Sequence, residues 1–161
     1  ELSAHIDLGP VVQTLATDAS NYQWGAVELL STDPQSKIIR ATGARFSYKE
    51  QQQHITSKEL LGILKGVRAF SCNLPPGSHV HVLTDCRAAA ATIRRWGSRS
   101  MAMNGCLPST WRWIRRRKLM ITVQWIPGGD GNPADLASRV GSGGLYGGPK
   151  FDVSESGFRG L

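Results

Sequence analysis

Acidic residues are scarce in this sequence, so their positions are informative: 12 Asp and Glu stand against 19 Lys and Arg in 161 residues. Four of them fall where strand ends and helix starts are expected. Asp18 follows the apolar, β-branched run of residues 11–16, and Asp85 closes the run Val80-His81-Val82-Leu83. Glu59 and Asp135 each fall in the first turn of an expected helix. Ligands of α/β sheets commonly collect at such ends, and carboxylates gathered there repel one another unless cations sit between them. Oxygen-only ligands suit Mg²⁺ or Mn²⁺. Each acid alone also has an ordinary structural reading. Thr56 and Glu59 form a capping-box signature, Asp85 is placed to cap the next helix, and Asp135 opposes a helix dipole. Asp18 resists such a reading, because Leu15-Ala16-Thr17-Asp18 sets an acid against a strand with no turn glycine beside it.

Other polar groups offer less. His79 and His81 alternate with Val80 and Val82, so both project from the strand face that carries Asp85. At about 3.3 Å per residue His81 lies about 13 Å from Asp85, too far to share its ligand, and half-exposed strand histidines are expected. Cys72, Cys86 and Cys106 form no CxxC pair, and their odd number speaks for reduced thiols in small apolar sites. The segment Arg112, Arg115, Arg116, Arg117 and Lys118, interleaved with Trp111 and Trp113, suits a phosphate backbone, with Arg94, Arg95 and Arg99 extending it. Its structural alternative is a solvated basic face whose tryptophans are buried.

The elements that must position these groups follow from periodicity. Residues 11–16 and 24–30 read as two paired strands flanking an Asp18–Asn21 corner, and residues 37–46 as a third strand with Gly43 as a bulge or turn. Residues 47–53 are polar and read as loop. Leu60, Ile63, Leu64 and Val67 then recur at i, i+3, i+4 and i+7, with Phe70 extending the stripe, which predicts a helix that Pro75-Pro76-Gly77 closes off. Val80, Val82 and Leu83 make a strand, residues 86–96 an alanine-rich helix, residues 97–109 a loop and residues 111–118 a basic helical segment. Alternating Ile121, Val123 and Trp125 make a fifth strand, and a last helix is expected from Asn132 (N-cap) and Pro133. Three strands, helix, strand, one or two helices, strand, helix is an α/β arrangement: a five-stranded mixed sheet whose first three strands are antiparallel, flanked by helices.

A net charge of +7 and a pI near 9.8 favour a polyanionic partner. No run nears the ~18 apolar residues of a membrane span, so no membrane is expected; separately, no small-molecule cofactor is expected. Residues 1–140 form the expected domain and Gly-rich residues 141–161 a flexible tail or linker. The opening Glu1-Leu2-Ser3, without methionine, implies excision from a longer chain.

In combination the motifs are more specific than any one of them. Thr17-Asp18-Ala19-Ser20 ahead of Trp24-Gly25-Ala26-Val27 resembles the first-strand motif of RNase H domains, and His54-Ile55-Thr56-Ser57-Lys58-Glu59-Leu60-Leu61 their first-helix motif. Val82-Leu83-Thr84-Asp85 resembles the fourth-strand motif, and Trp125-Ile126-Pro127-Gly128 through Asn132-Pro133-Ala134-Asp135-Leu136-Ala137-Ser138-Arg139 the last. All four keep the family's order over residues 11–140. The HI-x-x-KELL form, Trp96-Gly97-Ser98-Arg99-Ser100 and the IPG…NPADLASR ending look most like retrotransposon reverse transcriptases, closest to tyrosine-recombinase (DIRS- or VIPER-like) elements.

The resemblance implies an RNase H-like fold and a two-metal ribonuclease H that hydrolyses the RNA strand of RNA–DNA hybrids to 5′-phosphate and 3′-hydroxyl ends. By resemblance, Asp18 bridges two divalent cations, Asp135 helps hold the one that activates water, and Glu59 and Asp85 hold the one facing the leaving oxygen. Glu59 is also the position matching a 2′-hydroxyl contact. The polymerase domain of the same polyprotein is an implied partner, while the reduced thiols point to an intracellular setting, cytoplasmic or nuclear. One departure is the histidine that many relatives carry before the last aspartate, because Gly129-Asp130-Gly131 stands there instead. Altered turnover is expected from that, and Asp130 is read as a solvated loop residue. The competing reading is a non-catalytic module of the same fold that binds or tethers nucleic acid.

Overall fold

The computed structural model describes residues 8–98 and 107–139. Five strands form one sheet in the order β3-β2-β1-β4-β5. β1 (Val11–Ala19), β2 (Gln23–Leu29) and β3 (Ile38–Arg45) make an antiparallel meander, and β4 (His79–Thr84) and β5 (Met120–Trp125) add in parallel on the far side of β1. The parallel strands are joined by crossovers carrying α2 (Ile55–Ser71), then α3 (Arg87–Gly97) and α4 (Ser109–Arg116). The short α1 (Tyr48–Gln51) precedes α2.

β1 is the keystone. Its residues 13–19 are all buried, because it is central in the sheet and covered on both faces. On one face Leu15, Trp24, Val80 and Val82 pack with Ile63 and Val67 of α2, and the cluster extends to Ile93 and Trp111. Fully burying a side chain of this size contributes about 1.5–3 kcal/mol. α2 sits close on the sheet because Gly66 faces it. A Cβ there would lie 3.0 Å from both Ala26 Cβ and Thr17 Cγ2. On the opposite face Ala16, Val27 and Leu83 pack under Ile126, Ala134 and Ala137. This brings the segment after β5 over the ends of β1 and β2. Gly25 permits that contact, since a Cβ there would lie 2.3 Å from the Ala137 carbonyl carbon and 2.5 Å from Ser138 N.

Several expectations are corrected by local hydrogen bonding. β1 runs on to Ala19, so Asp18 lies within the strand, paired with Gly25, and not just past it. The polar tract 47–53 contains α1, which holds a true capping box between Ser47 and Glu50. The box expected at Thr56 and Glu59 does not form. α2 begins one residue after His54, with no side-chain cap, which puts Glu59 in the helix body. Asp85 does not cap α3; Cys86 does, with Sγ accepting from Ala89 N at 3.4 Å. Gly43 stays in register opposite Gly25, and the bulge falls instead at Glu28/Leu29.

The helix expected from Asn132 is replaced by a turn and a single 3-10 turn, Leu136–Ser138. Asn132 Oδ1 accepts from Ala134 N at 2.9 Å, a local bond that favours a turn over a helix start. His79 is buried, not half-exposed, between Gly9 O and Thr122 Oγ1, and His81 bridges Thr122 and Gln124. The 140/141 boundary, the 141–161 tail, Cys106 and Arg99 lie outside the described residues.

Candidate metal centre

Asp18, Glu59 and Asp85 come from three elements and meet at one end of the sheet, each offering an oxygen within 4.8 Å of the others. The parallel register of β1 and β4, with Thr17 beside Thr84, brings the first and third together. α2, lying on β1 and β2, brings the second. The cluster is well buried, with Asp18 6% and Glu59 8% exposed. Burial, followed by the nearby Asp85 charge, pushes Asp18 up to about 7. Burial and then the charges of Asp18 and Asp85 push Glu59 up to about 9. Neutral Asp and Glu normally appear only below about pH 4, so both acids are held toward the neutral form, first by burial and then by the charges of their neighbours.

The carboxylates are fixed unequally. Ala19 N donates to Asp18 Oδ1 at 2.9 Å, while the Ser138 hydroxyl lies 3.3 Å from Asp18 Oδ2 and 2.8 Å from Asp135 O. Asn132 is buried and spends both amide hydrogens, on Thr17 O at 3.0 Å and on Asp85 Oδ2 at 3.1 Å. Glu59 Oε1 is buried with no hydrogen-bond partner. Next to it, Lys58 is 4% exposed and donates to Asn21 O at 3.1 Å, tying α2 to the β1–β2 corner. The donors are all oxygen and one is orphaned, which fits a hard divalent cation.

Asp135 is placed differently. Its carboxylate adjoins Asp18 and contributes to raising it, but it lies outside the set of three and pairs with Arg139, Oδ1 to Nε, at 3.1 Å. Asp130 is exposed in a 3-10 turn, Gly129–Gly131.

The expected basic surface is split. Arg116 and Lys118 are exposed, whereas Arg115 donates to Trp96 O at 3.0 Å and Arg117 to Leu74 O at 3.3 Å. Arg112 is half-buried. Trp111 is buried against Trp96, their ring centroids 5.7 Å apart. Trp113 lies between the guanidinium groups of Arg68 (5.1 Å) and Arg117 (5.6 Å).

Asn132, Ser138, Lys58, Arg139 and Gly25 escaped the reading by residue type. All sit inside the quoted motifs, but their roles depend on which distant atom each one faces.

A family model, the RNase H-like domain found in reverse transcriptase, matches residues 12–108. The chain belongs to that family. The matched span holds Asp18, Glu59 and Asp85 and ends before Asp135. The domain is 35% identical over 82 residues to the genome polyprotein of Petunia vein clearing virus, in both the Shepherd and the Hohn isolates. That stretch is 50% of this chain and 4% of the polyprotein. Among solved structures the RNase H-like domain resembles LC11-RNase H1 in complex with an RNA/DNA hybrid, with a TM-score of 0.54 and 14% identity over 78% of this chain and 92% of that one. It also resembles the N-terminal RNase H domain of a Mycobacterium tuberculosis protein, with a TM-score of 0.51 and 13% identity over 78% and 90%. At such identities the likeness is one of fold, and the mixed five-stranded sheet expected from sequence is the fold observed.

Proposed function

We propose that this domain is a divalent-cation-dependent ribonuclease H that cuts the RNA strand of RNA–DNA hybrids during reverse transcription of a retroelement, leaving 5′-phosphate and 3′-hydroxyl ends. One observation carries this reading: three carboxylates, two of them buried, converge within 4.8 Å, and one oxygen lacks any partner. Uncompensated charge of this kind opposes folding, so its presence speaks for an external cation. Bound there, Mg²⁺ or Mn²⁺ would ionise a water near neutral pH and shield the charge of a scissile phosphate.

The chain's own groups set the rest. The Ala19 amide holds one Asp18 oxygen, and the Ser138 hydroxyl lies against the other. Asn132 Nδ2 donates to Asp85 Oδ2 and so restrains that carboxylate beside Asp18 and Glu59. Glu59, unbonded at Oε1, is the acid free to turn toward a cation or a 2′-hydroxyl. Asp135, now paired with Arg139, would be a fourth oxygen ligand for a cation bound beside Asp18. Exposed Arg116 and Lys118, with half-buried Arg112, meet the hybrid backbone, and Arg99, outside the described residues, is proposed for the same role from its sequence alone. The polymerase of the same polyprotein is the working partner, the setting is intracellular, and the element is of the tyrosine-recombinase (DIRS- or VIPER-like) kind, on the strength of the HI-x-x-KELL and NPADLASR motifs.

The Asp135–Arg139 pair favours a second reading, hybrid binding without cleavage. A hybrid labelled on its RNA strand separates the two. Cleavage with Mg²⁺ or Mn²⁺ that Asp18→Asn abolishes is the expected result. Bound but intact RNA with both metals leaves only the tethering module.

A further inference from the structure

β5 is an edge strand, with β4 on one side only. In its parallel ladder Met120 N and Ile126 N bond toward Ser78 O and Thr84 O, so the backbone groups of Ile121 and Val123 point away from the sheet. Arg94 confirms that direction, its Nη2 reaching Val123 O at 2.8 Å. Ile121 N–H and Ile121 C=O are left facing outward with no hydrogen-bond partner among the described residues, and Val123 N–H points the same way although Val123 is only 8% exposed. Beside this edge runs a groove of about 1020 Å³. Ile93, Trp111, Leu119, Ile121 and Val123 supply its apolar walls, and Arg94, Arg115 and Lys118 are the charged residues lining it, with no acid among them; Arg94 and Arg115 also close Val123 O and Trp96 O, and Lys118 is exposed.

We propose that the free edge of β5 is a docking site for an extended polypeptide strand that alternates apolar and acidic side chains. The outward donors and acceptor of Ile121 and Val123 match a β-strand's own alternation of N–H and C=O. Alternate side chains of that strand would face the apolar walls and the basic rim. A DNA backbone fits less well, because phosphates only accept hydrogen bonds and would leave Ile121 C=O unmet, and an RNA strand would have to meet it with a 2′-hydroxyl. A second copy of this edge would set the same three cations against each other. The groove lies some five residues down the sheet from Asp85, about 17 Å, so an occupant leaves the acidic cluster open.

The test uses a synthetic peptide of alternating valine and glutamate, titrated into the full chain labelled with ¹⁵N. Hydrogen exchange at the Ile121 and Val123 amides should slow about tenfold or more, the worth of one new hydrogen bond. Ile121→Pro removes a donor that β4 does not use and should weaken the peptide about tenfold. Ser98→Glu, which adds an acid at the exposed rim, should also weaken it and carries the test if the proline variant unfolds. Binding indifferent to both substitutions, or no binding, overturns the proposal. So does an RNA–DNA hybrid that displaces the peptide from these amides, or a dimer of the chain that protects them without it.

Discussion

The acidic cluster and the basic helix α4 are both strongly charged, and they handle that charge in opposite ways. At the cluster, Asp18, Glu59 and Asp85 are driven together by burial and register, with no cation of the protein placed among them. On α4 the charges are spread and put to structural use. Arg115 and Arg117 close neighbouring carbonyls, and Arg117 also stacks on Trp113. Charge that the fold leaves unrelieved marks a place for an outside partner. Charge that the fold has already absorbed is weaker evidence of one.

The sharpest way to break this comparison is to neutralise the cluster. Asp18→Asn or Glu59→Gln should lower hybrid cleavage by roughly 10²–10³-fold or more, the scale seen when a group holding transition-state charge is lost. The same substitutions should raise the melting temperature of the cation-free domain at pH 8. A melting temperature that falls instead would mean the repulsion is not there.

Next in size are the supports. Gly25→Ala drives a Cβ into the backbone at Ala137 and Ser138 and should cost about 1–3 kcal/mol. Asn132→Ala strips its donors from Thr17 O and Asp85 and should cost about 2 kcal/mol, lowering the melting temperature by about 4–8 °C. Both should weaken cation binding measured calorimetrically. Support for the cluster would be disproved by a stability loss with unchanged cation affinity.

The pH response has a defined sign. Asp18 and Glu59 titrate higher folded, near 7 and 9, than unfolded, near 4. The folded state therefore binds more protons across that interval, and the stability these groups contribute, complete below pH 4, is lost as pH rises toward 9. Cation-free melting temperatures should decline over this range, and Mg²⁺ should restore most of the loss at pH 8. A flat profile would remove the case for unrelieved charge.

The smallest effect belongs to α4. Arg116→Ala should leave the melting temperature unchanged and weaken hybrid binding while reducing the salt slope by about one. Arg117→Ala should do the reverse, lowering stability through Leu74 O and Trp113. If the two variants behave alike, the split between absorbed and available charge on α4 fails.

Much of the architecture is legible in the residues. The stripe from Leu60 to Phe70 yields α2, and the alternation at Ile121, Val123 and Trp125 yields β5. Motif order points to the sheet and to the three acids that meet. The reading failed where one short-range signal had two uses. Asn132-Pro133 looks like a helix start, yet the Asn carboxamide is committed to Asp85 and Thr17 and its oxygen to a turn. Thr56 and Glu59 look like a capping box, yet Glu59 is drawn inward to Asp18.

What the sequence determined by itself is therefore local: the hydrophobic period, the strands and the long helices, and which four acids fall near their ends. Tertiary structure alone decided which atoms face one another: that Asn132 holds Asp85, that Asp135 sits with Arg139, and that Lys58 reaches Asn21. The reason is range. Periodicity is written in neighbours a few residues apart, whereas Asn132 and Asp85 are 47 residues apart and Asn132 and Thr17 are 115, so their contact depends on the register of a sheet and the packing of a turn upon it.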